Sequence, residues 1–505
     1  MTLPDWLDPL FEAGEMRAAD AYAIEEREVP SLDLMERAGA GLARLVAARA
    51  ADGPVRVVVG KGNNGGDGLV VARLLREEGR EVDVLAVADL GEARGDVAVN
   101  LERLPGEGPR EFTAEALAGS GAVVDAMLGT GFEGSPREPI AGAIAAINGE
   151  DAPVIACDAP SGVNASTGEV EAEAVRATAT GTFHGPKLGL HVNPGAGRAG
   201  EAEVVEIGIP RGAPSGEAAG LISERVLDLY PRRGREGSKF ASGVVVVVGG
   251  SEGLTGAPTM AALSAQRAGA GYVQVAVPRP AQPVIDLRLL EGMSRGLPDR
   301  DGGHTPEGAE QVEEMAERAG CVVLGPGLGR AEGAVEFARE VGRGVDAPLL
   351  LDADGLNAHA GALETLAGRD APTVLTPHEG ELGRLLERER EEVGAHRLAC
   401  VREAAERSDA VVLLKGDDTL IAAPGRPVAV SPGGSPALAT AGTGDVLSGV
   451  IGSLLAKGLD AFEAASLGCL AHVLAGRAAA ERLGADHVIA GDVIEALPRG
   501  FRSVQ

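Results

Sequence analysis

The stretch from Val55 to Val87, VRVVVGKGNNGGDGLVVARLLREEGREVDVLAV, leaves the chain few ways to fold. It reads as a strand apolar on both faces, a glycine turn, an amphipathic helix closed by Gly79, and a second strand. A strand apolar on both faces must be covered on both, and a helical return between two strands makes them parallel. The unit is βαβ and predicts an open, mostly parallel α/β sheet. Further short strands are expected at Ala122 to Leu128, Val154 to Asp158 and Val204 to Ile207. Periodicity stops over IPRGAPSGEAAG, Ile209 to Gly220, where Pro, Gly and Ser accumulate as they do in a domain connection. A boundary near residue 215 gives units 1–214 and 215–505, and no internal repeat relates them. The second α/β series runs through Gly243 to Val248, Tyr272 to Val277, Cys321 to Leu324, Leu349 to Asp352, Thr373 to Leu375 and Ala410 to Leu414. Its last long helix, Asp445 to Lys457, carries Leu447, Ile451 and Leu455 at helical spacing.

Length agrees with two units, because single cores stop growing near ~250 to 300 residues and the chain has 505. Its 46 Lys and Arg against 75 Asp and Glu leave a net charge of −29, which argues against nucleic acid or an anionic membrane as partner. Aromatic residues are only 2%, so Ala, Val and Leu must fill the cores. Glycine, at 74 residues without a three-residue period, excludes collagen and points to tight turns against ligands or packed backbone. Cys157, Cys321, Cys400 and Cys469 are too widely spaced for a CxxC zinc or redox motif. The amino terminus is acidic where a signal peptide is basic, and no apolar run approaches the ~18 residues of a membrane span. A cytoplasmic protein is expected.

Gly60, Gly62 and Gly65 form G-x-G-x-x-G between strand and helix, with Asp83 beyond, the pattern of a Rossmann-type dehydrogenase. The loop continues, however, as Asn63, Asn64, Gly65, Gly66 and Asp67. A carboxylate there would repel a pyrophosphate unless a cation or a ligand donor intervened. Two more loops leave the carboxyl ends of expected strands: Asp125 opens DAMLGTGFEGSPREP and Asp158 opens DAPSGVNASTG. Oxygens of Asn64, Asp125 and Ser161, with backbone carbonyls, make a hard donor set for an alkali or alkaline-earth cation. Taken singly, each also reads as the cap of a helix or turn.

NNGGDG, then D-x-x-L-G-T-G, then D-x-P-S-G with TG soon after, resemble in that order the epimerase domain acting on hydrated NADH and NADPH. MRAADAYAI and SLDLMERAG resemble that domain's opening helices. The resemblance implies a ligand segment Asn63 to Asp67, potassium at Asn64, Asp125 and Ser161, and a second ligand segment of Gly129, Thr130, Gly131, Phe132, Glu133, Gly134 and Ser135. It also implies Asp158 at the hydrated dinucleotide, where it would assist loss and return of the ring hydroxyl. A related domain serves elsewhere as a dimerisation module, so a non-catalytic scaffold is the alternative.

In the second half, Gly249 to Gly253 spell G-x-S-x-G after a strand, either a hydrolase elbow on Ser251 or a glycine turn approaching a ligand. More specific is Ala439 to Asp445, ATAGTGD, at the start of the last long helix. Free amides at a helix start, with Gly442 and Gly444 allowing close approach, suit a transferring phosphoryl group, and Asp445 can accept a proton from an attacking hydroxyl. No Walker A motif is present. Lys415, Gly416, Asp417, Asp418 and Thr419 follow a strand and could surround a nucleotide phosphate, while Asp352 and Glu379 could anchor a hydrated magnesium ion. His378 reads equally as a structural residue or a ligand contact.

G-x-G-D at a helix start after an α/β series resembles the ribokinase-like fold. Within it GGSEGLTGAPTMAAL, RAGAG, GPGLG, DADGLN, LTPHEGEL, LLKG and ATAGTGDVLSG together resemble the nucleotide-dependent dehydratase that repairs the same hydrates. That likeness implies hydrate contacts at Ala257, Gly327 and His378, adenine-nucleotide contacts at Lys415, Gly416, Asp417, Asp418, Thr419 and Gly444, and Asp445 at the reacting hydroxyl. Leu254 stands where the family often has an aromatic residue and Ser435 where it often has Asn.

The expectation is a Rossmann-like unit followed by a ribokinase-like unit. Together they would epimerise the R and S hydrates of NADH and NADPH and dehydrate the S form at the expense of ADP or ATP. Potassium is expected in the first unit, magnesium in the second, and a homo-oligomer overall. The alternatives are a vitamin or sugar kinase fused to a nucleotide-binding or scaffold domain, and a conventional dehydrogenase.

Overall fold

The computed structural model describes residues 3–233 and 238–502. The chain divides into two compact units, Pro9–Gly220 and Leu221–Gln505, the latter joined by Met1–Asp8. The division therefore lies a few residues beyond the expected 214/215 boundary, and the first residues of the chain cross to the second unit. Trp6 explains the crossing: it is buried, its ring centroid lies 5.7 Å from that of Phe462, and its carbonyl accepts from Ser223 N at 3.0 Å and Oγ at 2.9 Å. A single apolar ring gains more from a core than a short polar flank loses.

Strand β1 (Leu7–Leu10) opens the chain. The first unit then builds a seven-stranded sheet from β2 (Val55–Val59), β3 (Val82–Ala86), β4 (Arg110–Glu111), β5 (Ala122–Ala126), β6 (Val154–Cys157), β7 (Ala179–Phe183) and β8 (Glu201–Val205). Its order is β4-β3-β2-β5-β6-β7-β8, and every neighbouring pair is parallel. The helices Ser31–Arg49 and Asn63–Glu77 cover one face with Leu42, Val46, Leu69 and Leu75, while Ile144 and Ile147 cover the other. Strand order reverses between β2 and β5, so the loops leaving these strands part and open a crevice at their carboxyl ends. NNGGDG, expected as a loop, instead opens the helix Asn63–Glu77 there, and the loop that follows β5 begins at Met127.

The second unit holds an eleven-stranded sheet ordered β1-β9-β20-β19-β18-β17-β16-β15-β10-β11-β12. Its strands are β9 (Ala219–Ile222), β10 (Val244–Val248), β11 (Tyr272–Pro278), β12 (Met293–Leu297), β15 (Cys321–Leu324), β16 (Leu349–Leu351), β17 (Thr373–Leu375), β18 (Val411–Leu414), β19 (Leu420–Ala422) and β20 (Val428–Val430). A two-residue hairpin, β13 (Asp299–Arg300) with β14 (Gly303–His304), stands apart. From β12 through β18 neighbours run parallel, and β18, β19 and β20 pair antiparallel. β10 is five valines, all buried, as a central parallel strand requires. The last long helices, Thr443–Ala456 and Ala461–Leu483, pack Val446, Val450, Leu454, Leu467 and Leu470 into this core.

Candidate active sites

In the first unit the crevice is closed below by glycine. A Cβ on Gly65 would stand 2.0 Å from the Gly60 carbonyl oxygen, and one on Gly60 would stand 2.2 Å from that of Met127. Only glycine lets the β2 loop lie against the β5 exit. Asn64 then reaches across, its Nδ2 donating to the Leu128 carbonyl at 2.8 Å. Leu128 N donates to Ser161 Oγ at 2.9 Å, and Ser161 donates to Asp125 through Oγ at 2.6 Å and N at 2.7 Å. Asn64, Asp125 and Ser161 are thus gathered around one loop. Asp125 is fully buried, accepts from the neutral donors of Ser161 and Met127, and burial pushes its carboxyl up to about 6. A buried carboxylate with no cationic partner is what a bound cation would complete.

Asp158 lies beside this group with φ of 64°, a left-handed conformation that costs a non-glycine residue about 1 kcal/mol or more. Its carboxylate accepts from Thr130 Oγ1, from Thr130 N at 3.3 Å and from Phe183 N at 3.2 Å. Lys187 Nζ, itself 1% exposed, lies 2.7 Å from Asp158 Oδ1. Burial alone would raise the Asp158 carboxyl, but the Lys187 charge and these hydrogen bonds hold it below the ordinary value. Asp67, in the second turn of the Asn63–Glu77 helix, goes the other way. Burial, reinforced by the charges of Asp158, Asp20 and Asp96, pushes it well above the carboxylate range. Raising the carboxyl in this way weakens the repulsion that a pyrophosphate would meet there.

The second ligand segment forms the rim of this crevice. Gly131, Glu133 and Ser135 are exposed, Gly129 and Thr130 are half-buried, and a Cβ on Gly129 would lie 3.1 Å from the Asn64 amide carbon. Asn63 is exposed at the mouth, and Gly66 packs beneath Met35. Lys187 and Asp20 are absent from the sequence reading. Lys187 sits in HGPKLGL, which carries no motif, and nothing in the chain's order announces its pairing with Asp158. Asp83, the acid beyond the glycine pattern, pairs with Arg56 and with Arg110 at 2.9 Å.

In the second unit the helix Thr443–Ala456 begins after Gly442, whose φ is 91° and where a Cβ would stand 2.6 Å from the Met260 side chain. Thr443 Oγ1 donates to Leu438 O at 2.7 Å and Thr440 O at 2.9 Å, fixing the approach. The Val446 amide, 3.1 Å from Gly442 O, makes the first helical bond, so the Thr443, Gly444 and Asp445 amides are left for an anion. Burial, and next the Asp352 charge, push the Asp445 carboxyl up to about 7, against the pull of Lys415. Lys415 Nζ lies 2.8 Å from Asp352 Oδ1 and 3.7 Å from Glu381 Oε2, and a Cβ on Gly444 would come within 3.6 Å of it.

The 415–419 loop is held by its own side chains and by Arg397. Buried Arg397 donates to Asp418 at 3.0 Å, to Glu379 at 2.7 Å and to Lys415 O at 3.4 Å. Asp417 accepts from Gly434 N at 2.9 Å, and Thr419 Oγ1 donates to Gly416 O at 2.7 Å. Arg397 is a further residue that motif reading misses, since it lies mid-sequence in a charged helix. Its partners also correct the magnesium expectation: Glu379 pairs with Arg397 and Arg390, and Asp352 with Lys415 and Ser448. Both carboxylates are committed to protein donors rather than turned toward a shared cation. His378 caps the helix Glu379–Leu386, its Nδ1 accepting from Gly380 N at 3.0 Å and Glu381 N at 3.3 Å, with its ring half-exposed. Its ring thus caps the helix while remaining partly open.

Ala257 and Gly327 come together, a Cβ on Gly327 lying 3.4 Å from that of Ala257 and 2.6 Å from the Leu254 carbonyl oxygen. Ser251 Oγ donates to Gly327 O at 3.2 Å, while His304 Nε2 bonds Gly249 O at 2.9 Å. With its hydroxyl spent on a loop carbonyl and the nearby His turned elsewhere, Ser251 does not form a hydrolase elbow.

A parallel α/β unit with oppositely shifted carboxyls at its switch point, joined in one chain to a second unit built to receive an anion beside a base, defines a two-domain enzyme of nucleotide chemistry. Residues 245–499 match the family described as NAD(P)H-hydrate dehydratase, and residues 31–189 match that described as YjeF-related protein N-terminus. Proteins described as bifunctional NAD(P)H-hydrate repair enzyme are 42% identical in Salinibacter ruber, over 97% of this chain and 96% of that one, and 40% identical in Moorella thermoacetica, over 98% and 97%. The ADP/ATP-dependent NAD(P)H-hydrate dehydratase of Bacillus subtilis, solved with ATP and Mg2+, aligns with a TM-score of 0.47 and 27% identity over 55% of this chain and 96% of that one. The chain belongs to the bifunctional NAD(P)H-hydrate repair enzyme family.

Proposed function

We propose that the Pro9–Gly220 unit interconverts the R and S hydrates of NADH and NADPH, and that the Leu221–Gln505 unit restores the S hydrate to the reduced dinucleotide using ADP or ATP. Along the sequence the two activities divide near residue 215, with the first residues of the chain joined to the second unit. The observation that carries the reading is Asp445, a carboxyl pushed up to about 7 at a helix entrance that has free amides and Lys415 beside it. A base near neutrality next to an anion site suits transfer of a phosphoryl group to an alcohol.

In the first unit the hydrate lies over Asn63 to Asp67 and under the Gly129 to Ser135 rim. Neutral Asp67 gives a proton to the ring hydroxyl, which leaves as water as the ring nitrogen's lone pair forms an iminium. Asp158, kept ionised by Lys187, faces that positive charge. Water returning to the opposite face gives its proton back and completes epimerisation. Two carboxyls shifted in opposite directions within one site support this division of labour. Asn64, Asp125 and Ser161 would hold a potassium ion, which would supply a positive charge beside the buried Asp125 carboxylate.

In the second unit the S hydrate lies against Ala257, Gly327 and His378. The nucleotide, arriving as its magnesium complex, occupies the Lys415 to Thr419 loop and Gly444. Asp445 takes the hydroxyl proton as the oxygen attacks the terminal phosphorus. The bond to the nucleotide breaks, releasing AMP from ADP or ADP from ATP, while the amides of Thr443 and Gly444 receive the moving charge. The phosphate ester then leaves from the ring, the adjacent ring carbon gives up a proton, and the double bond reforms. A cytoplasmic location and a homo-oligomeric assembly complete the proposal, supported by four unpaired cysteines and by the exposed side chains of Leu287 and Leu290.

Supplying the R hydrate with magnesium and ADP tests both units at once. Free phosphate and reduced dinucleotide should appear together, and Asp158→Asn should slow their appearance from the R hydrate but not from the S hydrate. A stable phosphorylated product would favour the vitamin or sugar kinase reading instead.

A further inference from the structure

Asp352 is 2% exposed and leaves the carboxyl end of β16 into the anion site of the second unit. Its two oxygens are split between two elements: Oδ1 takes Lys415 Nζ at 2.8 Å, and Oδ2 takes Ser448 Oγ at 2.7 Å. Ser448 stands one turn beyond Asp445 on the same helix. The Asp352 carbonyl is pinned as well, since a Cβ on Gly325 would stand 1.9 Å from its oxygen. Three carboxylates, on Asp352, Glu381 and Asp445, share the one ammonium of Lys415. Asp352 is bonded to that ammonium and Glu381 lies 3.7 Å from it, whereas no side-chain hydrogen bond to Asp445 is formed among the described residues.

Resting on the dehydratase reading above, we infer that Asp352 is a positioning residue: by holding Lys415 to itself and Ser448 to its other oxygen, it withholds the ammonium from Asp445 and sets the pH at which Asp445 serves as base. A carboxylate that kept Lys415 as its own partner would be too weak a base for an alcohol proton near neutrality. Asp352 is the first charge that raises Asp445, ahead of Glu381, which agrees with their order of approach to Lys415. The other titratable groups nearby add no opposing charge at neutral pH. His378 on the Glu379–Leu386 helix and His472 on the Ala461–Leu483 helix are both shifted down by burial, the latter to about 4. Arg384 donates to Asn357 at 2.7 Å, and Glu379 and Asp418 are taken by Arg397.

The test is the pH profile of dehydratase kcat/KM in the full chain, with the S hydrate and magnesium ADP. Asp352→Asn keeps the size and one acceptor oxygen, for Lys415 or for Ser448, but removes the charge. Its acidic limb should move down from near 7 by at least about one pH unit, with the plateau lowered roughly tenfold or more. Glu381→Gln should move the limb in the same direction by less, and it serves if the first variant folds poorly. A lower plateau with an unmoved limb in both variants would reduce Asp352 to a structural role and overturn the inference. Carboxyl 13C shifts of Asp445, assigned against Asp445→Asn, follow the same titration without turnover. An absent turnover with a displaced Asp445 titration would count against the dehydratase reading alone, and an unmoved titration against the inference alone.

Discussion

Asp445 is the general base of the proposed dehydratase step, and its environment works against its own charge. Asp445→Asn is expected to lower dehydratase turnover by roughly 10² to 10⁴, the usual scale for loss of a general base, while leaving epimerisation of the hydrates unchanged. The same change should stabilise the fold in alkali. An aspartate whose folded pKa is raised contributes stability below its unfolded value near 4, and that contribution is lost as pH rises through about 7. Removing the charge should therefore raise the stability of the variant over wild type by about 1 to 3 kcal/mol at pH 8 and by little at pH 4, read from denaturant melts. In the first unit, Lys187→Met strips the buried Asp158 of its cation. Leaving a buried charge unpaired costs about 3 to 5 kcal/mol, so both epimerase rate and melting temperature should fall, whereas Lys187→Arg should recover part of each.

At the scale of elements, both sites are made where a strand ends and a helix begins. Arg397 links the helix Glu379–Leu386 to the 415–419 loop, and Arg397→Met should raise KM for nucleotide several-fold while KM for the hydrate stays near wild type, as steady-state kinetics would report. Much of this arrangement was legible in the chain, because its determinants are local. The β2 turn, the β10 valines and the ATAGTGD entrance each declare themselves by apolar runs and glycines within a dozen residues. Expected strands at 154–158, 321–324 and 373–375 match the observed ones to within a residue. What escaped was non-local or weakly patterned. β7, ATGTF, carries two buried threonines, one of which donates to Ala199 O at 2.6 Å, so its apolar signal is faint. Lys187 and Arg397 pair with carboxylates 29 and 21 residues away in sequence, Asp158 and Asp418. Magnesium anchors at Asp352 and Glu379 looked plausible because sequence lists acids without the arginines and lysines that claim them in space.

The whole molecule joins two cores through a chain that visits the second unit first, leaves it to build the first, and returns. Trp6, the single tryptophan, marks that excursion, since it belongs to the second unit's core although it precedes the first unit in sequence. Tryptophan fluorescence should thus follow loss of dehydratase activity during denaturation and be indifferent to loss of epimerase activity. Trp6→Ala should cost the second unit about 3 to 5 kcal/mol. In the proposed function potassium serves the first unit alone, so replacing it with tetramethylammonium should slow epimerisation and leave conversion of the pure S hydrate intact. The most direct measurement incubates the protein with an equal mixture of R and S hydrates, magnesium, potassium and ADP or ATP, and follows recovery of the reduced-nicotinamide absorbance. Complete recovery, faster than the spontaneous exchange of the epimers, is the expected result; recovery that stops near half, or none with either nucleotide, would contradict the account.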